Sequence, residues 1–286
     1  MTAAKPTPRL IVREQFAHLA RKVRKAAHSP EDPKTIHDLR VAIRHFSQTL
    51  RLFPETFDHS FSKKVRQRLK ELMTCLGAVR NNDIAPEILH ASKAVPQEAL
   101  LKVLRDQRQA AQKQLMTVLE SSFHREVLRE WKARMLRNAG GARAFESARL
   151  ELPGLAGEFF QAGNYAARHK VPYPRLHRCR LLGKRFRYSV ELFGLDETSQ
   201  FKNRFQVLKR VQDQLGALND TVTVMTLIPG HAAVKKHLRL LRAQQEQAFR
   251  SFWIRKFNLR VQEWWLHALI PQSRPMKTNQ PRRAKT

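Results

Sequence analysis

Across 286 residues, 54 Lys and Arg stand against 24 Asp and Glu, a formal charge of +30 that exceeds what solubility requires and asks for an anionic partner. Hydrophobic residues make up 42%, enough to bury a sizeable core, which excludes wholesale disorder.

The opening MTAAKPTPRL lacks an apolar signal core, and the two isolated cysteines, Cys75 and Cys179, give neither a zinc pattern nor a disulfide framework. A reducing cytoplasm is the expected setting. Gly is scarce at 10 and apolar residues recur at three- and four-residue steps, so the elements read as helices and the fold as all-α. Prolines at Pro30 and Pro33, Pro54, Pro86, Pro96, Pro153, Pro172 and Pro174, Pro229 and Pro271 are expected near helix boundaries.

The first informative helix reads HDLRVAIRHFSQTLRLF from His37 to Phe53. At about 100° per residue, His37, Arg40, Arg44, Gln48 and Arg51 share one stripe, with Leu39, Ile43, Phe46, Leu50 and Phe53 roughly opposite. LGAVRNND follows from Leu76 and is expected to end one helix at a Gly-containing turn and start another with Asp83 as N-cap. Arg80 and Asn81 there could also face an anion at a helix N-terminus. Gln97 to Arg137 is a long helical region, and a joint is expected near Gly140 and Gly141.

The second half opens with HRCRLLGKRFRYSVELF from His177 to Phe193. His177, Arg180, Lys184 and Tyr188 align with Arg187 at the flank, Cys179, Phe186, Val190 and Phe193 fall opposite, and Glu191 replaces Arg51. LGALND, with Asn219 as a candidate for touching an anion and Asp220 as an N-cap candidate, is the counterpart of the earlier loop. Thr221 to Ile228 reads as a short helix despite its β-branched content. Thr221 to Val234, the longest stretch in this half without Lys, Arg, Asp or Glu, is too short to span a bilayer, so no transmembrane helix is expected. His231 to Leu269 is again helical, with Trp253, Trp264 and Trp265 spaced with Phe249 and Phe257 for packing. Residues 271–286 read as a flexible basic tail.

The two informative helices repeat each other at an offset of 140 residues: His37 matches His177, Arg40 Arg180, Arg44 Lys184, Phe46 Phe186, and Leu52-Phe53 Leu192-Phe193. LGAVRN and LGALND repeat at an offset of 139 residues, and LRDQRQAA and LRAQQEQA follow in the same order. Two related halves, about 9–139 and 153–270, explain this best. A solvated amphipathic face would account for any single Arg or Lys. It would also accept mixed charge, whereas both copies keep one sign and place a His first. Like charges one helical turn apart repel by a few tenths of a kcal/mol per pair, a cost that an anion relieves. Guanidinium offers bidentate hydrogen bonds to phosphate oxygens, Lys184 a point charge, and imidazole beside phosphate gains a proton.

With these residues the chain resembles the CHAD family, the conserved histidine α-helical domain. The likeness rests on IHDLRVAIRHFSQTLRLF with LGAVRNND and on LHRCRLLGKRFRYSVELFG with VQDQLGALND, and covers about Arg9 to Ile270. The resemblance implies two pseudo-symmetric helical bundles around a basic channel or groove that binds inorganic polyphosphate. It carries the family's histidines to His37 and His177 and its basic positions to Arg40, Arg44, Arg180, Lys184 and Arg187. Arg21, Arg24 and Lys25, on the preceding helix, are additional lining candidates. The chain departs from the family at Asn81, where Asp is usual, and at His45 and Ser47, where Arg is common, so the first half is expected to grip an anion less strongly.

No catalytic machinery is legible. No two Glu lie two positions apart, which removes the Glu-x-Glu metal site of triphosphate tunnels, and HExxH, GxxxxGK[ST], GxSxG and CxxC are all missing. A non-catalytic binder without cofactor or metal is expected, with polyphosphate or other storage granules as a location. Nucleic acid is the rival partner, since a charge of +30 binds any phosphodiester chain by counterion release. Base recognition usually adds exposed rings, however, and here the Phe residues take the core faces, leaving Tyr188 as the only ring on the stripe.

Overall fold

Thr7 Oγ1 accepts the Leu10 N–H at 3.3 Å and Pro8 sits in the first turn, and these two features start α1 (Pro8–His28) in the computed structural model, which describes residues 7–93, 98–137 and 142–271. Asp32 caps α2 (Pro33–Leu52) by accepting from the N–H groups of Lys34 and Thr35 at 2.9 and 3.2 Å. Asp58 does the same for α3 (His59–Ala91), from Phe61 N–H at 2.7 Å. There follow α4 (Glu98–Ser122), α5 (Arg125–Arg137), α6 (Ala142–Leu150), α7 (Leu152–Ala166), α8 (Tyr173–Leu192), α9 (Lys202–Leu227), α10 (Ala232–Lys256) and α11 (Leu259–Leu269). Among the described residues no strand occurs, the all-α class expected, and no helix is long and apolar enough to cross a membrane.

Most prolines stand at boundaries as expected, but Pro86 lies inside α3 and Pro96 lies outside the described residues, as do Gly140, Gly141 and 272–286 of the expected tail. The last turns of α3 survive Pro86 because Ile84, Ala85 and Leu89 pack with Leu100, Leu104, Val224, Ile228 and Leu238 in a small core, burial that outweighs one lost backbone bond. The same core holds Thr221 to Leu227 as the final turns of α9 rather than as a separate short helix. The two long helical regions break at Phe123–His124 and at Phe257–Asn258, where Asn258 accepts from Val261 N–H at 3.1 Å to start α11.

LGAVRNND and LGALND are not turns. Both lie in helix interiors, within α3 and α9, so Asp83 and Asp220 are not N-caps. A glycine inside a helix costs about 1 kcal/mol relative to alanine, and Gly77 has a use for its missing Cβ, which would stand 3.3 Å from Arg40 Nη1. Asp83 is instead buried against Arg108 of α4, Nε to Oδ1 at 2.9 Å, and Arg108 also donates to the Glu31 carbonyl at 2.6 Å.

The apolar faces read from the sequence form the main core: Leu39, Ile43, Phe46 and Leu50 of α2 and Cys179, Phe186 and Val190 of α8 are all at most 1% exposed. α2 packs on α1, α3 and α8; α8 packs on α7, α9 and α2; α3 packs on α9. Gly183 makes the inner approach of α8 possible, because a Cβ there would lie 2.0 Å from Gln212 Nε2 of α9 and 2.7 Å from the Phe159 ring of α7. The contact between α2 and α8 is partly polar. Gln48 Nε2 donates to Ser189 Oγ at 2.8 Å in a buried bond, with the His45 and Tyr188 rings 4.5 Å apart on one side and those of Phe53 and Phe193 6.4 Å apart on the other. Gln48, placed on the cationic stripe by its spacing, is thus an interhelix joint.

Candidate functional site

The N-terminal two-thirds of α2 and α8 carry cations that their packing brings into one cluster. Arg40 and Arg44 come from α2, Arg180 and Lys184 from α8, Arg80 from α3, and a carboxylate, Asp220, from α9. Arg40 lies in the notch over Gly77, where its Nη1 donates to the Met73 carbonyl at 3.3 Å. Burial, then Arg44 and Arg180, push its pKa down to about 10. Arg180 is lowered too, by burial first, with Asp220 opposing. The extreme case is Lys184, which burial and then Arg44, Arg180 and Arg40 push down to about 6. Among the described residues none of Arg40, Arg44, Arg80, Arg180 and Lys184 makes an ion pair at salt-bridge distance, and Arg180 Nε is buried without a hydrogen-bond partner. A group of cations that depress one another's charge and share an acid is an arrangement an anion stabilises.

The two histidines sit at the entrances of these helices in different surroundings. His37 lies near Arg80, Arg44 and Arg40, and its pKa is lowered by burial and then by Arg80 and Arg44, so without an anion it is mostly neutral near pH 7. His177 belongs to a hydrogen-bonded group. Its Nδ1 and the Tyr173 hydroxyl both lie 3.1 Å from Asn219 Oδ1, while Asn219 Nδ2 donates to Asp220 at 3.3 Å. Because the shared oxygen only accepts, it places a proton on His177 Nδ1. Arg242 of α10 lies over the Tyr173 ring, 5.6 Å from its centroid, and is held by Glu246 at 2.7 Å.

The other stripe residues lie apart from this cluster. Arg187 Nη1 binds Glu191 Oε1 at 2.6 Å and its guanidinium covers the Tyr188 ring at 4.5 Å; Tyr188 itself is only 4% exposed. Glu191 also meets His45 Nε2 at 3.3 Å. Burial raises Glu191 to about 7, against the pull of Arg187, and lowers His45 to about 4. This is a second polar joint between α2 and α8, in which Arg187 is paired with Glu191. Arg51 is exposed beside Arg185 and Arg66, at the far end of α2. Arg21 and Arg24 are exposed on α1, where they line a separate cavity with α5, and Lys25 lies near Asp32.

Tyr173, Asp220 and Arg242 lie against these residues, and spacing alone marks none of them. Arg242 had a signal, since it falls in LRAQQEQA, the segment that echoes LRDQRQAA. Asp220 was legible only as a cap, and Tyr173, ahead of the repeated motif, had no signal. Among the described residues no three His, Cys, Asp or Glu side chains gather as a group that could hold a metal ion.

The chain belongs to the CHAD domain family, whose model matches residues 10–229. Two solved structures share the fold. The crystal structure of the CHAD domain from the plant Ricinus communis is 20% identical, with 94% of each chain covered and a TM-score of 0.62. PptA from Streptomyces chartreusis is 18% identical, with 91% of this chain and 99% of that chain covered and a TM-score of 0.53. No curated protein matches the chain.

Proposed function

We propose that this protein is a non-catalytic binder of inorganic polyphosphate, and that the polymer lies along the cations shared by α2 and α8. The observation that carries the reading is the convergence of Arg40, Arg44, Arg180 and Lys184 from two helices, with Asp220 the acid that opposes their mutual repulsion. Membership of the CHAD family supports the choice of ligand, and the ordered sequence echoes support two copies of one helix pair, each offering half of the groove. A linear chain carrying one negative charge per phosphate unit would meet His37, Arg40, Arg44 and Arg80 on one side and His177, Arg180 and Lys184 on the other. Arg187 and Tyr188 act in this reading as supports, through Glu191 and His45, rather than as groups that touch the ligand. The same binding would tether the protein to a polyphosphate store.

The test is competition at physiological salt between labelled long-chain polyphosphate and single-stranded DNA, duplex DNA, RNA and short oligophosphates. Long polyphosphate should win at matched phosphate concentration, with affinity rising with chain length. Equal competition by the nucleic acids would make the protein a general polyanion binder.

A further inference from the structure

Away from the cations of α2 and α8, α1, α5 and Phe123 line a cavity of about 830 Å³ that is open to solvent on one side, within the size range of small-molecule sites. Its floor is hydrocarbon: Val12, Phe16, Phe123, Leu128 and Met135 are each no more than 6% exposed and contribute the carbon surface at its base. Its rim is cationic, with Arg13, Arg21 and Arg24 from α1 facing Arg125, Arg129 and Lys132 from α5, and among the described residues no carboxylate lines it. All six are exposed and none forms an ion pair among the described residues; Arg21 meets only His18, Nη2 to Nδ1 at 3.4 Å.

We infer that this cavity is a second anion site, whose ligand is a monomeric anionic amphiphile: a single alkyl or acyl chain ending in a carboxylate or phosphate. Polyphosphate matches the rim but has no apolar part to set against the floor. A neutral apolar molecule matches the floor but leaves like charges crowded at the mouth. An amphiphile satisfies both, its chain on Phe16 and Leu128 beneath the aliphatic stems of the rim residues and its head between Arg24 and Arg129. The chain's own segments outside the described residues, 1–6, 94–97, 138–141 and 272–286, contain no Asp or Glu, so charge argues against any of them as the occupant. Arg21 and Arg24, expected from their place on the preceding helix to line the polyphosphate site, belong to this second site.

The test is calorimetric titration of the full chain with octanoate, decanoate and dodecanoate below their micellar concentrations, together with quenching by a bromo-dodecanoate. Trp131 reports on the site because the ring of Phe123 lies 5.7 Å from it. Expected are one-to-one binding, an affinity gain of about three- to fourfold per methylene, and quenching that Trp131→Phe removes. Arg24→Glu with Arg129→Glu, both at exposed positions, should weaken dodecanoate by about tenfold or more, and Ala17→Trp, which fills the cavity, should block it. Arg40→Ala with Arg180→Ala should weaken polyphosphate and leave dodecanoate binding in place. The inference falls if affinity is independent of chain length, if long-chain polyphosphate displaces dodecanoate, or if only vesicles of anionic phospholipid bind.

Discussion

Lys184 concentrates the physics of the site in one side chain. Burial and three neighbouring guanidinium groups hold its folded-state pKa at about 6, against 10.5 for an unperturbed lysine. Between these values the unfolded chain binds more protons than the folded one, so this residue's contribution to stability rises as pH increases through that window. A phosphate chain bound as proposed would reverse the balance, because its negative charge favours the ammonium form. Binding at pH 8 should therefore take up about one proton at Lys184, measurable by calorimetry in buffers of different ionisation enthalpy, and affinity should fall as pH rises from 6 towards 10. Lys184→Met should reduce the proton uptake by about one proton, weaken polyphosphate binding and raise folding stability by roughly 1 kcal/mol or more. A loss of both stability and affinity would make Lys184 a structural residue.

At the scale of helices, the cation cluster depends on how α2, α3 and α8 are locked together. Gly77 lets Arg40 lie on α3, and the added Cβ of Gly77→Ala would press on the far end of a flexible side chain. Helix propensity should then leave stability unchanged or raise it by up to about 1 kcal/mol, while displacement of Arg40 lowers polyphosphate affinity; urea unfolding and titration separate the two effects. Gln48 acts in the opposite way. Gln48→Ala removes a buried bond to Ser189 and opens a void between α2 and α8, with an expected loss of about 1–3 kcal/mol. Affinity should drop with it, because the two cationic stripes no longer keep register. Glu191 adds a pH dependence to the same contact. Its pKa is raised from 4.5 to about 7, so the folded state binds more protons between those values, and this group's contribution to stability falls as pH rises through that interval.

For the whole molecule, the formal charge of +30 guarantees attraction to any polyanion, so specificity has to come from geometry. Replacing Arg40, Arg44, Arg180 and Lys184 together with Ala removes only a small part of that charge. It should nevertheless weaken polyphosphate binding strongly and flatten its salt dependence, by up to about one unit of log–log slope for each phosphate that the variant no longer neutralises. Circular dichroism should be unchanged, since these side chains stand opposite the Phe46 and Phe186 core faces. A collapse of helicity would identify the stripe as structural, and an unchanged slope would place the ligand elsewhere.

The helical class, the opposed core and cationic faces of α2 and α8, and the order of the repeated segments were determined by the sequence alone, because a period of about 3.6 residues and the burial of Phe and Leu are local or near-local consequences of composition. The CHAD likeness was legible there for the same reason, as paired motifs at fixed spacing. Only the tertiary structure decided which stripe residues meet. Gly77 and Gly216 read as turns because glycine weakens an isolated helix, yet α3 and α9 run through both under tertiary packing. Asp220 joined the cations, Arg187 turned to Glu191, and Arg21 and Arg24 faced α5. Periodicity gives the face of a helix to which a side chain belongs, whereas its neighbours on that face are set by how the helices cross, through packing between residues far apart in the chain.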